Sequence, residues 1–182
     1  EKENYGKVYI GENKKLMVEF VSANPTGPMH IGNARGGAIG DCLASVLSWA
    51  GYDVTREFYV NDAGNQIEKF ATSLEVRYLQ LYKDGVVLPE DAYQGQDIAV
   101  HSKNFSDIYG DKYVEASSDE RRSALVEYAL PLNISKLKSD LMKYRIEYDV
   151  WFLESTLHES GKVPEIVEKL KEKGLTYEKE GA

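Results

Sequence analysis

The sequence predicts an α/β fold: a parallel sheet with helices packed on it and a helical stretch inserted between strands. Three observations carry this. Residues 16–21 (LMVEFV) are a nearly continuous apolar run with Val and Phe, the pattern of a strand buried on both faces. A turn-rich link and a glycine-bearing helical stretch follow, and then residues 53–60 (DVTREFYV) read as a second strand. Strand, helix and strand joined in this way form a right-handed βαβ unit with parallel strands. Residues 86–145 then turn helical in pattern, and strand character returns at residues 148–152 (YDVWF).

Taken in order, residues 1–15 are polar and read as a connector, with Tyr5, Val8, Tyr9 and Ile10 its main apolar residues and a turn at residues 11–14. The first strand ends in a link containing Asn24, Pro25, Thr26, Gly27 and Pro28, where two prolines and a glycine disfavour regular structure. A helix is expected to begin near Met29 or His30. Gly32, Gly36 and Gly40 are spaced by four and so share one face. A bare glycine in a helix interior costs roughly 1 kcal/mol against alanine. The compensation is close approach, either of the helix to the sheet or of a flat ligand to the backbone. Ile39, Leu43, Val46, Leu47 and Ala50 form the apolar face, with Cys42 beside it as a packed thiol, and Gly51 ends the helix. In the second strand Val54, Arg56, Phe58 and Val60 point to one side. Asp62 is the expected N-cap of the next helix, which carries Ile67, Phe70, Ala71, Leu74, Tyr78 and Leu81 at helical spacing and ends near Gly85.

A further helix is expected around Gln96, Ile98, Ala99 and Phe105, ending at Gly110. Ser117 and Glu120 have the spacing of a capping box for the next one. That helix reaches Pro131, where a kink or break is expected, and Ile134, Leu137, Leu141 and Tyr144 continue at helical spacing. His101 has no partner at metal-ligand spacing and reads as a packing or surface residue. After the returning strand, Val163, Ile166, Val167 and Leu170 give a short amphipathic helix with Pro164 in its first turn and Gly174 after its end. Residues 175–182 (LTYEKEGA) read as a closing strand or its start.

The 182 residues are enough for one core, or one core with a small module, and 42% hydrophobic with 29% charged residues is ordinary globular composition. There is no apolar run of about 18 residues, hence no expected helical membrane span, and no signal peptide at the start. The single Cys42 excludes an internal disulfide and suits a reducing, cytoplasmic setting. A net charge of −8 argues against a general nucleic-acid binder. His158 has no zinc-type neighbours, so no metal site is expected. The abrupt opening and close read as a piece of a longer protein.

Two features of the βαβ unit carry chemistry. A strand, a loop and a helix N-terminus bearing His30 and Asn33 make an anion site, because free N–H groups and the helix dipole favour phosphate. A glycine-rich helix packed tightly on the sheet accounts for the same pattern without a ligand. Glu19 interrupts an apolar strand, where a carboxylate is costly unless a cation meets it. That cation is either a substrate or an internal residue such as Arg56. Asn61, Asp62 and Gln66 fall where the second strand meets the second helix, near the carboxyl ends of the strands where open parallel sheets bind ligands. Capping and turn chemistry explain them equally.

The string ANPTGPMHIGN followed by AR closely resembles the HIGH signature of class I aminoacyl-tRNA synthetases. The flanks VEFVSANPTGP and GYDVTREFYVNDAGNQ, and the later YDVWFLES and VEKLKEKGLTYEKEGA, are similar to arginyl-tRNA synthetases of the bacterial type. The resemblance spans nearly the whole chain and is loosest between about residues 89 and 135. It implies the N-terminal half of a Rossmann-like catalytic sheet of the HIGH-signature nucleotidyltransferase type. Residues 1–85 would form the first half of that domain, 86–147 a helical insertion and 148–182 the return to the sheet. It implies an arginine–tRNA ligase that activates L-arginine with ATP, with Mg2+, and passes it to tRNA(Arg), the parent being a cytoplasmic monomer.

By resemblance, His30 and Asn33 contact the ATP phosphates and stabilise the charge that develops in transfer. Pro25 and Gly27 belong to the ATP-binding segment, and Gly32 leaves room for adenine. The family pattern often ends in histidine where this chain has Asn33, which donates a hydrogen bond but carries no charge. Glu19 stands five residues before Asn24, the spacing of the family's guanidinium-reading glutamate, and Ser22 and Asn24 would hold the α-amino or carboxylate end of arginine. No KMSKS-like segment occurs in the 182 residues, and this stretch alone is expected not to aminoacylate. The alternatives are a nucleotidyltransferase of the same superfamily with another substrate, and a non-catalytic synthetase-like binding module.

Overall fold

The structure is a computed structural model that describes residues 2–177 and Lys179. Three strands, β1 (Lys15–Glu19), β2 (Asp53–Val60) and β3 (Val150–Leu153), form one parallel sheet in the order β1-β2-β3. Leu16 pairs in register with Val54, Glu19 with Glu57, and Phe58 with Trp151. Helix α1 (Ile31–Trp49) connects β1 to β2. Helices α2 (Asn65–Leu79), α3 (Gln96–Tyr109) and α4 (Ser118–Lys143) lie between β2 and β3, and α5 (Ser155–Glu159) and α6 (Lys162–Glu172) follow. The expected parallel βαβ unit is therefore present. The closing strand is not seen: residues 175–177 have no regular structure, and residues 178 and 180–182 lie outside the described residues.

Helix α1 meets the sheet through its small residues, with Gly37, Gly40 and Ala44 buried. A Cβ at Gly40 would stand 2.2 Å from the Phe20 ring, and one at Gly37 would stand 2.8 Å from Ile146 Cδ1. Gly37 and Gly40 thus serve close approach, whereas Gly36 of the expected row meets nothing within 4 Å and Gly32 faces only His30. This overturns the expected inner face of the helix: Ile39, Leu43 and Val46 are exposed, and so is Cys42. Strand β1 departs from expectation for a related reason. It is an edge strand whose residues alternate between exposed and half-buried, so Met17 and Glu19 face solvent and only the side toward α1 is covered.

Two apolar clusters make the core. One joins Phe70, Leu74 and Tyr78 of α2 to Ile98 and Phe105 of α3 and to Leu125 and Ala129 of α4. The other joins Phe20, Phe58 and Val60 of the sheet region to Leu137, Leu141 and Ile146. Phe58 stacks on Trp151 at 4.3 Å between centroids, and the Tyr148 hydroxyl donates to Phe20 O at 3.0 Å. Helix α4 contributes to both clusters, which explains why Pro131 does not end it. The proline lies on the exposed side, where water can satisfy the carbonyl that its missing N–H would have bonded, and burial before and after it holds the helix. Of the expected capping box, Ser117 accepts from Glu120 N at 3.2 Å.

Helices α1 and α4 end alike. Tyr52 N donates to Leu47 O (3.2 Å) and Gly51 N to Ser48 O (3.1 Å), with Gly51 at φ +87°. Likewise Ile146 N donates to Leu141 O (3.0 Å) and Arg145 N to Met142 O (2.9 Å), but the left-handed position holds Arg145 at φ +61°. A side chain there costs roughly 1–2 kcal/mol, and Arg145 is exposed. Arg145→Gly is therefore expected to raise the unfolding free energy by roughly 0.5–1 kcal/mol after the glycine's greater unfolded entropy is discounted, read as a higher urea midpoint.

Glu75, buried on α2, is held by Arg121 Nε (3.0 Å), Arg122 Nε (2.6 Å) and Ser118 Oγ (2.8 Å) of α4. Burial alone would raise its pKa, but the Ser118, Arg122 and Arg121 hydrogen bonds outweigh burial and hold it below the ordinary carboxylate value. With the folded pKa below the unfolded one, the stabilisation is present above the ordinary carboxylate range and is lost as pH falls through that range toward the folded pKa. Urea midpoints should fall between about pH 7 and about pH 3, and fall less for Glu75→Gln.

Candidate functional site

The carboxyl ends of all three strands and the N-terminus of α1 meet at one edge of the sheet. The chain leaves β1 through Val21 at φ +68° and Ser22 at φ +42°. A left-handed β-branched residue is costly, on the order of 1–3 kcal/mol, and persists only where the surroundings fix it. The turn directs residues 23–28 across the start of α1 and opens a cleft of about 460 Å³. Its lining includes Ser22, Asn24, Gly27, His30 and Asn33, with Tyr93 and Asp97 opposite.

His30 is the N-cap of α1, and with Asn33 it forms a reciprocal capping box. Gly32 N donates to His30 Nδ1 (3.1 Å), and His30 N donates to Asn33 Oδ1 (3.0 Å). An Nδ1 that accepts a hydrogen bond carries no proton, so the ring's N–H sits on Nε2. A Cβ at Gly32 would meet the His30 ring at 2.9 Å, so the glycine makes space for this fold-over. With its oxygen committed to the cap, Asn33 keeps its amide nitrogen free to donate into the cleft.

Glu19 is exposed rather than buried, and the expected alternative partner does not meet it. Arg56 instead reaches Asp41 Oδ1 (3.4 Å) and Ser45 Oγ (3.1 Å) of α1. Among the described residues, no Lys or Arg pairs with Glu19. Ser22 Oγ donates to Glu19 Oε1 (2.6 Å) and accepts from Tyr59 N (3.1 Å), which ties the carboxylate to the end of β2. Tyr59 sits among negative groups. Its phenol pKa is raised by burial first, then by a hydrogen bond to Glu154 and the charges of Glu154, Asp62 and Glu19. The sheet edge is thus an acidic rim. Among the described residues, no group of three His, Cys, Asp or Glu side chains is arranged to hold a metal ion.

Asn61, Asp62 and Gln66 do not line the cleft. Asp62 does not cap α2, whose N-cap is Gly64. Its carboxylate accepts from Ser155 N (2.8 Å) and Ser155 Oγ (2.7 Å), because β3 brings Ser155 against the end of β2. The Asn61 amide, in the orientation that satisfies its neighbours, donates to Ala63 O (2.8 Å) and Glu154 Oε2 (3.2 Å). Gln66 Oε1 accepts from the Tyr93 hydroxyl at the cleft wall. Pro25 is fully buried and contributes its carbonyl, not its ring, to the surroundings of the site.

Tyr93, Asp97 and Asn133 join the site from outside the signature string. The Asp97 carboxylate faces Gly27, 3.5 Å from where a Cβ there would stand. The stretch YQGQD, a glycine before an acidic first turn, signals a helix start but not what it faces. Asn133 Nδ2 donates to Pro25 O (2.9 Å) while Asn133 Oδ1 meets His101 Nε2 (2.8 Å), so His101 is part of a buried hydrogen-bonded chain. A polar residue on the inner face of α4 between Ala129 and Leu137 was the available sign.

A family model described as tRNA synthetases class I (R), catalytic domain, matches residues 1–182. An arginine–tRNA ligase of Ruminiclostridium cellulolyticum is 61% identical over 184 residues, covering 100% of this chain and 33% of that protein. One of Caldanaerobacter subterraneus subsp. tengcongensis is 62% identical over 179 residues, covering 98% of this chain and 32% of that protein. The chain therefore spans about a third of the length of these curated relatives. A Campylobacter jejuni structure, provisionally named as an arginyl-tRNA synthetase, superposes with a TM-score of 0.79 at 32% identity, over 98% of this chain and 39% of that one. The arginyl-tRNA synthetase of Thermus thermophilus superposes with a TM-score of 0.59 at 22% identity, over 87% of this chain and 26% of that one, a likeness of fold alone.

Proposed function

Because the chain belongs to the family of class I arginyl-tRNA synthetase catalytic domains, we propose that it supplies the first half of a site that activates L-arginine with ATP and passes it to tRNA(Arg). The observation that carries this is the pairing of a cleft at the N-terminus of α1 with an exposed Glu19 at the adjoining strand end, tied to Ser22 of the cleft lining and without a Lys or Arg partner among the described residues. The cleft suits a phosphate chain and the rim suits a guanidinium.

In this reading His30 Nε2–H and the Asn33 amide stabilise the charge that grows on the α-phosphate as the arginine carboxylate attacks it. Little covalent chemistry is asked of the protein, so alignment and charge stabilisation carry the step. Gly27 and Pro25 shape the phosphate segment, and Gly32 makes room for the His30 ring rather than leaving backbone bare for adenine. Glu19 reads the guanidinium and Ser22 orients Glu19, while Asn24 holds the α-amino or carboxylate end. Gln66 braces Tyr93 of the cleft wall, while Asn61 and Asp62 order the end of β2 through Glu154 and Ser155. Mg2+ would accompany ATP through the phosphates.

The division into residues 1–85 and 148–182 for the catalytic sheet and 86–147 for an insertion belongs to the same proposal. So do a monomeric parent and a cytoplasmic setting. No helix among the described residues is long and apolar enough to cross a membrane. With a net charge of −8, tRNA would be met by a local basic patch or by parts of the protein beyond this third.

The test is exchange of pyrophosphate into ATP by the longer native chain, with tRNA present and each amino acid offered singly. Exchange with arginine alone is expected. Equal exchange with another amino acid, or none that depends on an amino acid, would overturn the assignment.

A further inference from the structure

The link over residues 24–28 carries much of the proposed chemistry but has no regular structure of its own. Its position must be fixed from outside. Pro25 is fully buried and Thr26 is 6% exposed, so the Pro25 carbonyl has little access to water and needs a donor. That donor is Asn133 Nδ2 at 2.9 Å, from a residue 8% exposed on α4. Asn133 is fixed in turn. Since its nitrogen donates to Pro25, its oxygen accepts, and the proton of the 2.8 Å contact comes from His101 Nε2 on α3. His101 Nδ1 is left buried with no partner among the described residues. The ring makes the Asn133 bond while leaving its other nitrogen unsatisfied.

Packing alone does not call for this arrangement. Asn133 lies between Ala129, in one apolar cluster, and Leu137, in the other, where an apolar side chain would extend the core. An amide in a helix interior is also a poorer helix former than alanine or leucine. What the amide adds is direction: a strut from the α3–α4 pair to the Pro25 carbonyl, in the link between Asn24 and the start of α1.

We propose that Asn133 is a positioning residue for the cleft, holding the Pro25 carbonyl so that Asn24 and His30 are aligned, with His101 locking the Asn133 amide. The proposal rests on the functional reading above. It makes the helical region between β2 and β3 a working part of the site. Slack in the link would displace His30 relative to the α-phosphate, and small misplacements of aligned groups lower the chemical step far more than ground-state binding.

The test uses the longer native chain. Asn133→Leu, close to isosteric, is expected to lower kcat of arginine-dependent exchange by about 10- to 100-fold while KM for arginine and ATP stays within about threefold. His101→Phe should lower kcat in the same direction, and His101→Gln, which keeps a donor for Asn133 Oδ1, should retain more activity than His101→Phe. Hydrogen exchange supplies a readout independent of activity: amides of residues 26–34 lose protection in Asn133→Leu while those of β2 and α2 do not. A purely structural asparagine predicts a lower melting temperature with unchanged kcat and unchanged protection over residues 26–34, and that result overturns the proposal. Absence of arginine-dependent exchange in the unmodified protein sinks the functional reading instead, and the protection measurement still decides the strut.

Discussion

In the longer native chain, His30→Ala is expected to slow arginine-dependent exchange of pyrophosphate into ATP by about 10²–10³-fold, the usual loss when one preorganised donor to a developing charge is removed. The reason lies in the capping geometry. His30 Nδ1 is occupied by Gly32 N, which sets the tautomer and aims Nε2–H away from the helix. The alanine variant loses both the donor and the cap, and loss of the cap alone costs about 1 kcal/mol of stability. His30→Asn separates the two roles, because asparagine is a good N-cap that does not reach as far. Its melting temperature should return toward that of the unmodified protein while the rate stays low. A rate that recovers with the cap would mean that the histidine's role is structural.

Glu19→Gln is expected to lower kcat/KM for arginine by about 10- to 100-fold, in line with the 1.5–3 kcal/mol typical of a hydrogen bond to a charged group. The figure is moderate because Glu19 faces solvent in this structure and keeps one oxygen on Ser22. The stronger signature is in discrimination. The native carboxylate should favour arginine over citrulline, a neutral isostere, and Glu19→Gln should shrink that preference. KM for ATP should be nearly unchanged, since the rim lies apart from the phosphate segment. An arginine-to-citrulline preference unaltered by the substitution would remove Glu19 from recognition.

Much of the fold was legible because local signals and topology agree in the first 85 residues. The second strand, a helix start next to His30 and the left-handed Gly51 follow from patterns of a few residues, whereas β1 ends at Glu19, short of the expected Val21, and β3 starts at Val150, two residues after the expected Tyr148. Errors arose where a distant partner decides the outcome. Asp62 fits a local cap by position, but Ser155, 93 residues on, takes its carboxylate. Pro131 signals a kink or a break, but burial of α4 against two separate clusters carries one helix through it. The inner face of α1 was assigned by hydrophobicity, whereas the Phe20 ring needs the glycines, leaving Leu43 and Val46 outside. Asn24, Thr26, Gly27, Pro28, His30 and Asn33 of the signature string line one cleft, because neighbours in sequence stay neighbours at a helix start, while Pro25 and Gly32 do not. The far wall from Tyr93 to Asp97 and the Asn133 strut come from across the fold, with no periodicity to announce them.

The central claim is that these residues align arginine and ATP but form only part of the machinery. Its most direct test is arginine-dependent exchange of pyrophosphate into ATP, with tRNA present, on the 182-residue chain and the longer native chain side by side. Exchange in the longer chain and silence in the shorter one is the expected result, placing the remaining chemistry outside this third of the protein. Robust exchange by the 182-residue chain alone would contradict the account, since the residues described here would then be sufficient.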